Sequence, residues 1–152
     1  MILRAVIDED VEVFFRHQAE PEASEMAAFA ARDRSAHLEH WRKTRAEPST
    51  ILRTIESAGV VVGNIVSWVE DGVREVGYWV GRDYWGQGIA TTALAEFTQL
   101  VSDRPLIAHV AETNIGSHRV LGKCGFRKTG LFIDDGDVRL IQYSLDTPGS
   151  PA

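Results

Sequence analysis

The segment YWVGRDYWGQGIATTAL, residues 78–94, passes from an apolar run through two closely spaced glycines directly into a helix-forming stretch. A strand turning sharply into a helix leaves the helix's first N–H groups unpartnered, and the positive end of the helix dipole lies beside them. Gly86 and Gly88, lacking side chains, let the backbone fold tightly around a ligand there. The layout reads as an anion cradle suited to a pyrophosphate, with each charge-assisted bond to backbone N–H contributing about 1.5–3 kcal/mol. A bare strand-to-helix turn that needs two glycines is the competing account.

Known phosphate loops fit it poorly. A GxxxxGK[ST] loop needs a lysine that does not follow Gly88. A dinucleotide fingerprint needs a third glycine or alanine at the helix-packing position. Here Arg82 to Trp85 lengthen the turn, and the unit lies in the middle of the chain.

Downstream, PLIAHVAE (105–112) reads as a strand, and NIGSHRVLGKCGF (114–126) follows it. Together these pieces resemble the GNAT acetyltransferase superfamily. Its [QR]xxGx[GA] loop falls on Trp85, Gly86, Gln87, Gly88, Ile89 and Ala90, and its NxxAxxxYxxxGF motif on Asn114 through Phe126. Trp85 stands in the place of Arg or Gln, Ser117 in the place of Ala, and Leu121 in the place of a Tyr often used as general acid. These departures resemble the RimJ/RimL, or ribosomal-protein N-acetyltransferase, type, in which YWxxxxYWGxGxA and an NxxS helix are usual. The resemblance covers residues 50–145.

It implies an α+β fold, a mixed, mostly antiparallel twisted sheet flanked by helices, whose middle strands splay to admit acetyl-CoA. It implies direct acetyl transfer to a primary amine of a small molecule or protein N-terminus, with no metal. The loop residues through Thr91 would hold the pyrophosphate. Asn114 and Ser117 would border the pantetheine arm, and Trp79 and Gly81 would offer it backbone groups, because a peptide-like linker pairs with an open strand edge.

Acetylation needs a neutral amine. At a lysine pKa of about 10.4 roughly one side chain in 2,500 is neutral at pH 7, against roughly one in ten for an α-amino group. Period two puts Glu75, Gly77 and Trp79 on one strand face, and the resemblance makes Glu75 the base. The alternative is a solvated residue paired with the adjacent Arg74. Ser117 inherits the donor role toward the departing thiolate by the same resemblance; it reads equally as a hydrogen-bonding residue of its helix's first turn. Arg119 and Lys123, one turn apart, read more readily as a solvated face than as 3′-phosphate ligands. His109 ranks behind Glu75 as a base. His37, His40 and Trp41 fall where the family borders its acceptor.

The remaining composition bounds this reading. With 152 residues and 44% apolar content, a single domain over 1–146 and a frayed tail over 147–152 are expected. A net charge of −6 argues against a nucleic-acid surface and, by steering, mildly favours cationic acceptors. No apolar run approaches 18 residues and no signal-like N-terminus occurs, so neither a membrane span nor secretion is expected and the expected location is cytoplasmic. Cys124 is the lone cysteine, beside Gly125 at a helix end, and reads as packing. A homodimer stays open. Two other functions are carried: a CoA-binding regulatory module without catalysis, suggested by Leu121, and a Rossmann-like dinucleotide binder.

The periodicities predict a strand at Ile2–Ile7 and a helix capped by Asp8 through about His17, carrying Val11, Phe14 and Phe15 inward. A helix follows at about Arg32–Ala46, then a meander over Thr50–Ser57, Val60–Val69 and Val73–Gly81, with turns at Ala58-Gly59 and Asp71-Gly72. Helix Ile89–Val101, strand Leu106–Glu112, helix Asn114–Lys123, and strands Phe126–Ile133 and Val138–Leu145 about an Asp135-Gly136 turn complete the layout.

Overall fold

The computed structural model describes residues 1–134 and 136–146. The expected tail at 147–152, and Asp135 of the expected last turn, lie outside the described residues.

Strand β1 (Ile2–Arg4) leads into α1 (Asp8–Ala19). Ile7, not Asp8, occupies the N-cap; Asp10 reaches back to accept its N–H at 2.9 Å, while Asp8, Glu9 and Asp10 all sit at the positive end of the helix dipole. Burial pushes the Asp10 carboxyl up, but hydrogen bonds from Arg4, the Ile7 N–H and the Thr54 hydroxyl outweigh it and hold Asp10 below the usual carboxylate range. This buried cluster joins β1, α1 and the sheet.

Helix α2 (Pro21–Met26) has no counterpart in the sequence reading. Six residues are too few for a hydrophobic period, yet its start is well specified: Pro21 opens it and the Glu20 carboxylate accepts from Ala23 N at 2.9 Å. Helix α3 (Arg34–Ala46) is capped by Asp33, which accepts from Ala36 N at 2.8 Å.

Strands β2 (Ile51–Ser57), β3 (Val60–Glu70) and β4 (Val73–Val80) form the meander. Both two-residue turns take positive φ throughout, Ala58 and Gly59 at 52° and 78°, Asp71 and Gly72 at 51° and 77°. This matches the right-handed twist of the flanking strands. Helix α4 (Ile89–Leu100), β5 (Leu106–Ala111), α5 (Ile115–Lys123), β6 (Arg127–Ile133) and β7 (Arg139–Leu145) follow.

The seven strands order as β1-β2-β3-β4-β5-β7-β6, antiparallel except for the parallel β4–β5 pair. One face carries the main core, where Ile65, Val76, Leu94, Phe97, Leu106 and Leu121 are closed off from solvent and α4 and α5 pack down. The other is covered by α1 and α3 through Val11, Phe14 and Trp41. Each such side chain contributes about 1.5–3 kcal/mol, so the sheet is held from both sides. Between them lies an opening: β4 and β5 pair only at Arg74↔Leu106 and Glu75↔Ile107, and beyond Glu75 they part.

Candidate active site

The cleft begins where β4 leaves β5, and period two sends alternate β4 side chains to opposite sheet faces. Tyr78 packs against the main core on the α4/α5 side, whereas Trp79 meets Phe29 edge-on at 5.3 Å on the opposite side. Each side holds a cavity, of about 440 Å³ and about 500 Å³, and both cavities have Tyr78 and Trp79 in their walls.

The first cavity is built on the strand-to-helix loop. Gly86 and Gly88 sit at φ 79° and 74°, and a Cβ on either would meet no heavy atom within 4 Å. Their requirement is therefore left-handed backbone, not close approach. Arg82–Tyr84 wind into a 3₁₀ turn that takes up the residues lengthening the loop, and Trp85 Nε1 donates to Val80 O at 3.0 Å, pinning the loop to β4. The first intrahelical bond of α4 is Thr92 N to Gly88 O at 3.1 Å. Ile89, Ala90 and Thr91, whose N–H groups precede it, line the cavity beside Trp85, Gly86 and Gly88. Gln87 is exposed and outside the wall.

Helix α5 forms the opposite wall. Asn114 caps it, accepting from Ser117 N at 3.3 Å, and lines the cavity as well. Ser117 Oγ accepts from Tyr78 Oη at 3.1 Å. Burial pushes the Tyr78 phenol up to about 12, with the Ser117 bond opposing. Leu121 is wholly buried in the core. Arg119 and Lys123 are exposed, as expected of a solvated face, and also line this wall. Cys124 is half-buried, its thiol raised by burial and directed at Thr91 O, 3.4 Å away.

One sequence expectation and one competing account need correction. Gly81 has no free backbone group to offer: its N–H donates to Val62 O at 2.8 Å and its carbonyl accepts from Tyr84 N at 2.9 Å. A Cβ there would lie 2.8 Å from the His17 ring, so this glycine answers close packing. The register explains why. Bonding between Gly81 and Val62 makes Trp79–Asn64 the next hydrogen-bonded pair of the antiparallel ladder, turning Trp79's backbone toward β3 as well. The groups facing the cleft belong to Tyr78 and Val80, one residue out of phase with the expectation.

Second, Arg74 does not pair with Glu75, because neighbours on a strand point to opposite faces. Arg74 bonds Asp103 Oδ2 at 2.7 Å and Ser67 Oγ at 3.1 Å. Glu75 instead accepts from His109 Nδ1 at 3.0 Å, and His109 Nε2 lies 3.1 Å from Gln142 Oε1. Glu75 is in neither cavity wall. Trp68, its partner in register, leans over Gly77, with its Cη2 3.3 Å from where a Gly77 Cβ would be. Burial raises the Glu75 carboxyl above its ordinary value, with His109 pulling against it.

His37, His40 and Trp41 all line the second cavity. His37 Nε2–H donates to Val11 O at 2.8 Å, and burial lowers its pKa. Sequence reasoning missed Tyr78, which with Trp79 is common to both walls, and the α2 residues Ala23 and Met26 in the first. For Tyr78 a signal existed: alternation along a strand that ends in a Tyr-Trp doublet puts one ring on each face.

Known proteins share this fold. A family model described as an acetyltransferase (GNAT) domain matches residues 1–127. An uncharacterized N-acetyltransferase, p20, of Bacillus licheniformis is 34% identical over 89 residues, 55% of this chain and 49% of the relative, so the match spans about half the relative's length. Among solved structures, a ribosomal-protein-alanine N-acetyltransferase from Brucella melitensis superposes with a TM-score of 0.79 at 20% identity, covering 96% of this chain and 99% of that one. The aminoglycoside acetyltransferase AAC(6')-Ib in complex with coenzyme A gives 0.79 at 16%, covering 95% and 93%. With a cleft opening at the β4–β5 divergence, a glycine loop running into α4 and a family match over most of its length, the chain belongs to the GNAT acetyltransferase family.

Proposed function

We propose that this chain transfers an acetyl group from acetyl-CoA directly to a primary amine, residues 1–146 acting as one domain. The observation carrying this reading is the shared wall: Tyr78 and Trp79 border both cavities, so a thioester in the first and an amine in the second meet at one point on β4. The family match supports acetyl-CoA as the donor, as does coenzyme A in the aminoglycoside acetyltransferase of like fold.

In this reading the α4 first-turn N–H groups and the Gly86–Gly88 backbone hold the pyrophosphate. Tyr78 offers backbone groups and Val80 its N–H to the amide arm, the Val80 carbonyl being held by Trp85; Asn114 adds its side-chain amide, and Arg119 and Lys123 supply positive charge at the rim. Glu75, fixed by His109 where β4 and β5 part, takes the amine's proton by way of water; burial moves its pKa toward that of a base useful near neutral pH. As the C–N bond forms and the C–S bond breaks, Ser117, accepting from the Tyr78 phenol, keeps its own O–H free to hydrogen-bond the departing thiolate, while the proton taken up by Glu75 passes to solvent. The phenol stands in for the one that Leu121 lacks.

Trp85 and the Asn114-to-Ser117 spacing, with the likeness to the Brucella protein, favour the RimJ/RimL type. The burial of Leu121 favours a second reading, a CoA-binding module without turnover. One experiment separates these. Acetyl-CoA at about 100 times its Kd adds about 2.7 kcal/mol, raising Tm by about 5–11 °C, while NAD(P)H leaves Tm unchanged. Thiol release on adding amines then marks catalysis; its absence with a normal Tm shift leaves the module. Stabilisation by NAD(P)H alone overturns both.

A further inference from the structure

The second cavity has a chemistry of its own. Its wall is aromatic, with Phe14, Phe29, Trp41, Trp68, Tyr78 and Trp79, and among the described residues no Asp or Glu lines it. The lasting cation there is Arg32, since burial lowers the pKa of both His37 and His40 toward the neutral form. Arg32 is held in place by Gln18, itself buried: the amide donates to Arg32 O at 3.0 Å and accepts from Arg32 N at 2.7 Å. Its guanidinium lies 4.9 Å from the Phe29 ring centroid, and Phe29 in turn packs on Trp79. Among the described residues Arg32 forms no ion pair with a carboxylate, and burial depresses its pKa with nothing opposing. Arg32, Phe29 and Trp79 thus form a line from a half-buried positive charge to the wall shared with the first cavity.

A polycation entering here would lose hydration and meet a guanidinium in place of carboxylates. An anionic group would complete Arg32, and an apolar body would be covered by rings. Building on the acetyl-transfer reading, we propose that the acceptor is an amino acid or short peptide: a primary amine on an aromatic or branched apolar body, with its carboxylate on Arg32. Polyamines and aminoglycosides do not fit. The net charge of −6 pointed the other way; the local wall outweighs it, because exposed charges beyond a Debye length are screened and a half-buried one is not.

Tryptophan emission reports on this directly, since Trp41, Trp68 and Trp79 line the cavity. With CoA present, the protein is titrated with phenylalanyl-alanine, its C-terminal amide, spermidine and kanamycin. The free acid is expected to bind about 10- to 100-fold more tightly than the amide. Arg32→Gln abolishes that difference, Arg32→Lys keeps part of it, and the acetyl-CoA Tm shift stays as in the wild type. Tighter binding of spermidine or kanamycin, or an acid-to-amide ratio unchanged in Arg32→Gln, overturns the proposal. If the acid binds as expected but releases no thiol from acetyl-CoA, the carboxylate site at Arg32 stands as a ligand site and the acetyl-transfer reading falls. If thiol release occurs with the polycations alone, the converse holds.

Discussion

Replacing Gly88 by alanine isolates what the α4 entry loop demands. At φ 74° an L-residue brings its Cβ toward the following carbonyl, which costs about 1–2 kcal/mol. Nothing adds to this, because a Cβ built at Gly88 meets no heavy atom within 4 Å. For a domain of this size each kcal/mol lowers Tm by about 2–4 °C, so Gly88→Ala is expected to melt about 2–8 °C below the wild type. Gly122 provides the control. It has the same open surroundings but lies inside α5, so Gly122→Ala raises stability by up to about 1 kcal/mol. Calorimetry of both variants, with and without acetyl-CoA, measures the two signs. A relaxed loop also turns the Ile89–Thr91 N–H groups away from their shared direction, so the acetyl-CoA shift should shrink in Gly88→Ala and persist in Gly122→Ala. A Gly88→Ala protein with unaltered Tm and an unaltered acetyl-CoA shift would refute both the left-handed turn and its role.

Three further outcomes are expected. Glu75→Gln lowers turnover by about 10²-fold with the acetyl-CoA Tm shift intact, and more severely at pH 6 than at pH 9, where the amine loses its proton unaided; equal turnover across that range removes Glu75 as the base. Ser117→Ala slows turnover about tenfold without weakening acetyl-CoA binding, and Tyr78→Phe does the same if the phenol acts through Ser117; normal rates in both separate this pair from the chemistry. Burial, aided by the charge of Arg16, holds His17 down at about 4. The unfolded chain takes up that proton near pH 6.5, so it binds more protons than the folded one between pH 6.5 and about 4. Stability therefore falls as pH drops through that window, and His17→Gln should flatten the slope; an equal slope in urea titrations of both proteins contradicts it.

Much of this site is local in origin and so is visible in the chain. The turns at Ala58-Gly59 and Asp71-Gly72, the helix cap Asn114, and the entry into α4 each depend on residues within a few positions of one another. The expected elements from Thr50 onward match the observed ones to within one or two residues at each end. Short α2 left no period to read. The role of Gly81 was misjudged because the phase of hydrogen bonding along β4 is set by its pairing with β3, which side-chain alternation alone does not reveal. Arg74, adjacent to Glu75, is bonded on the other face to Asp103, 29 residues away in sequence.

By its motifs the chain resembled a family that handles acyl-CoA; from its order of residues alone it determined a two-glycine strand-to-helix turn and the meander before it. These rest on backbone sterics and short-range hydrogen bonds, which depend on near neighbours. Only the tertiary structure decided that Tyr78 and Trp79 border two cavities, that Glu75 faces His109 across the diverging strands, and that Arg32 lies over Phe29 with no carboxylate partner among the described residues. Each of these joins segments brought together by burying both faces of one sheet. The residues that choose an acceptor are set by that packing, not by any motif.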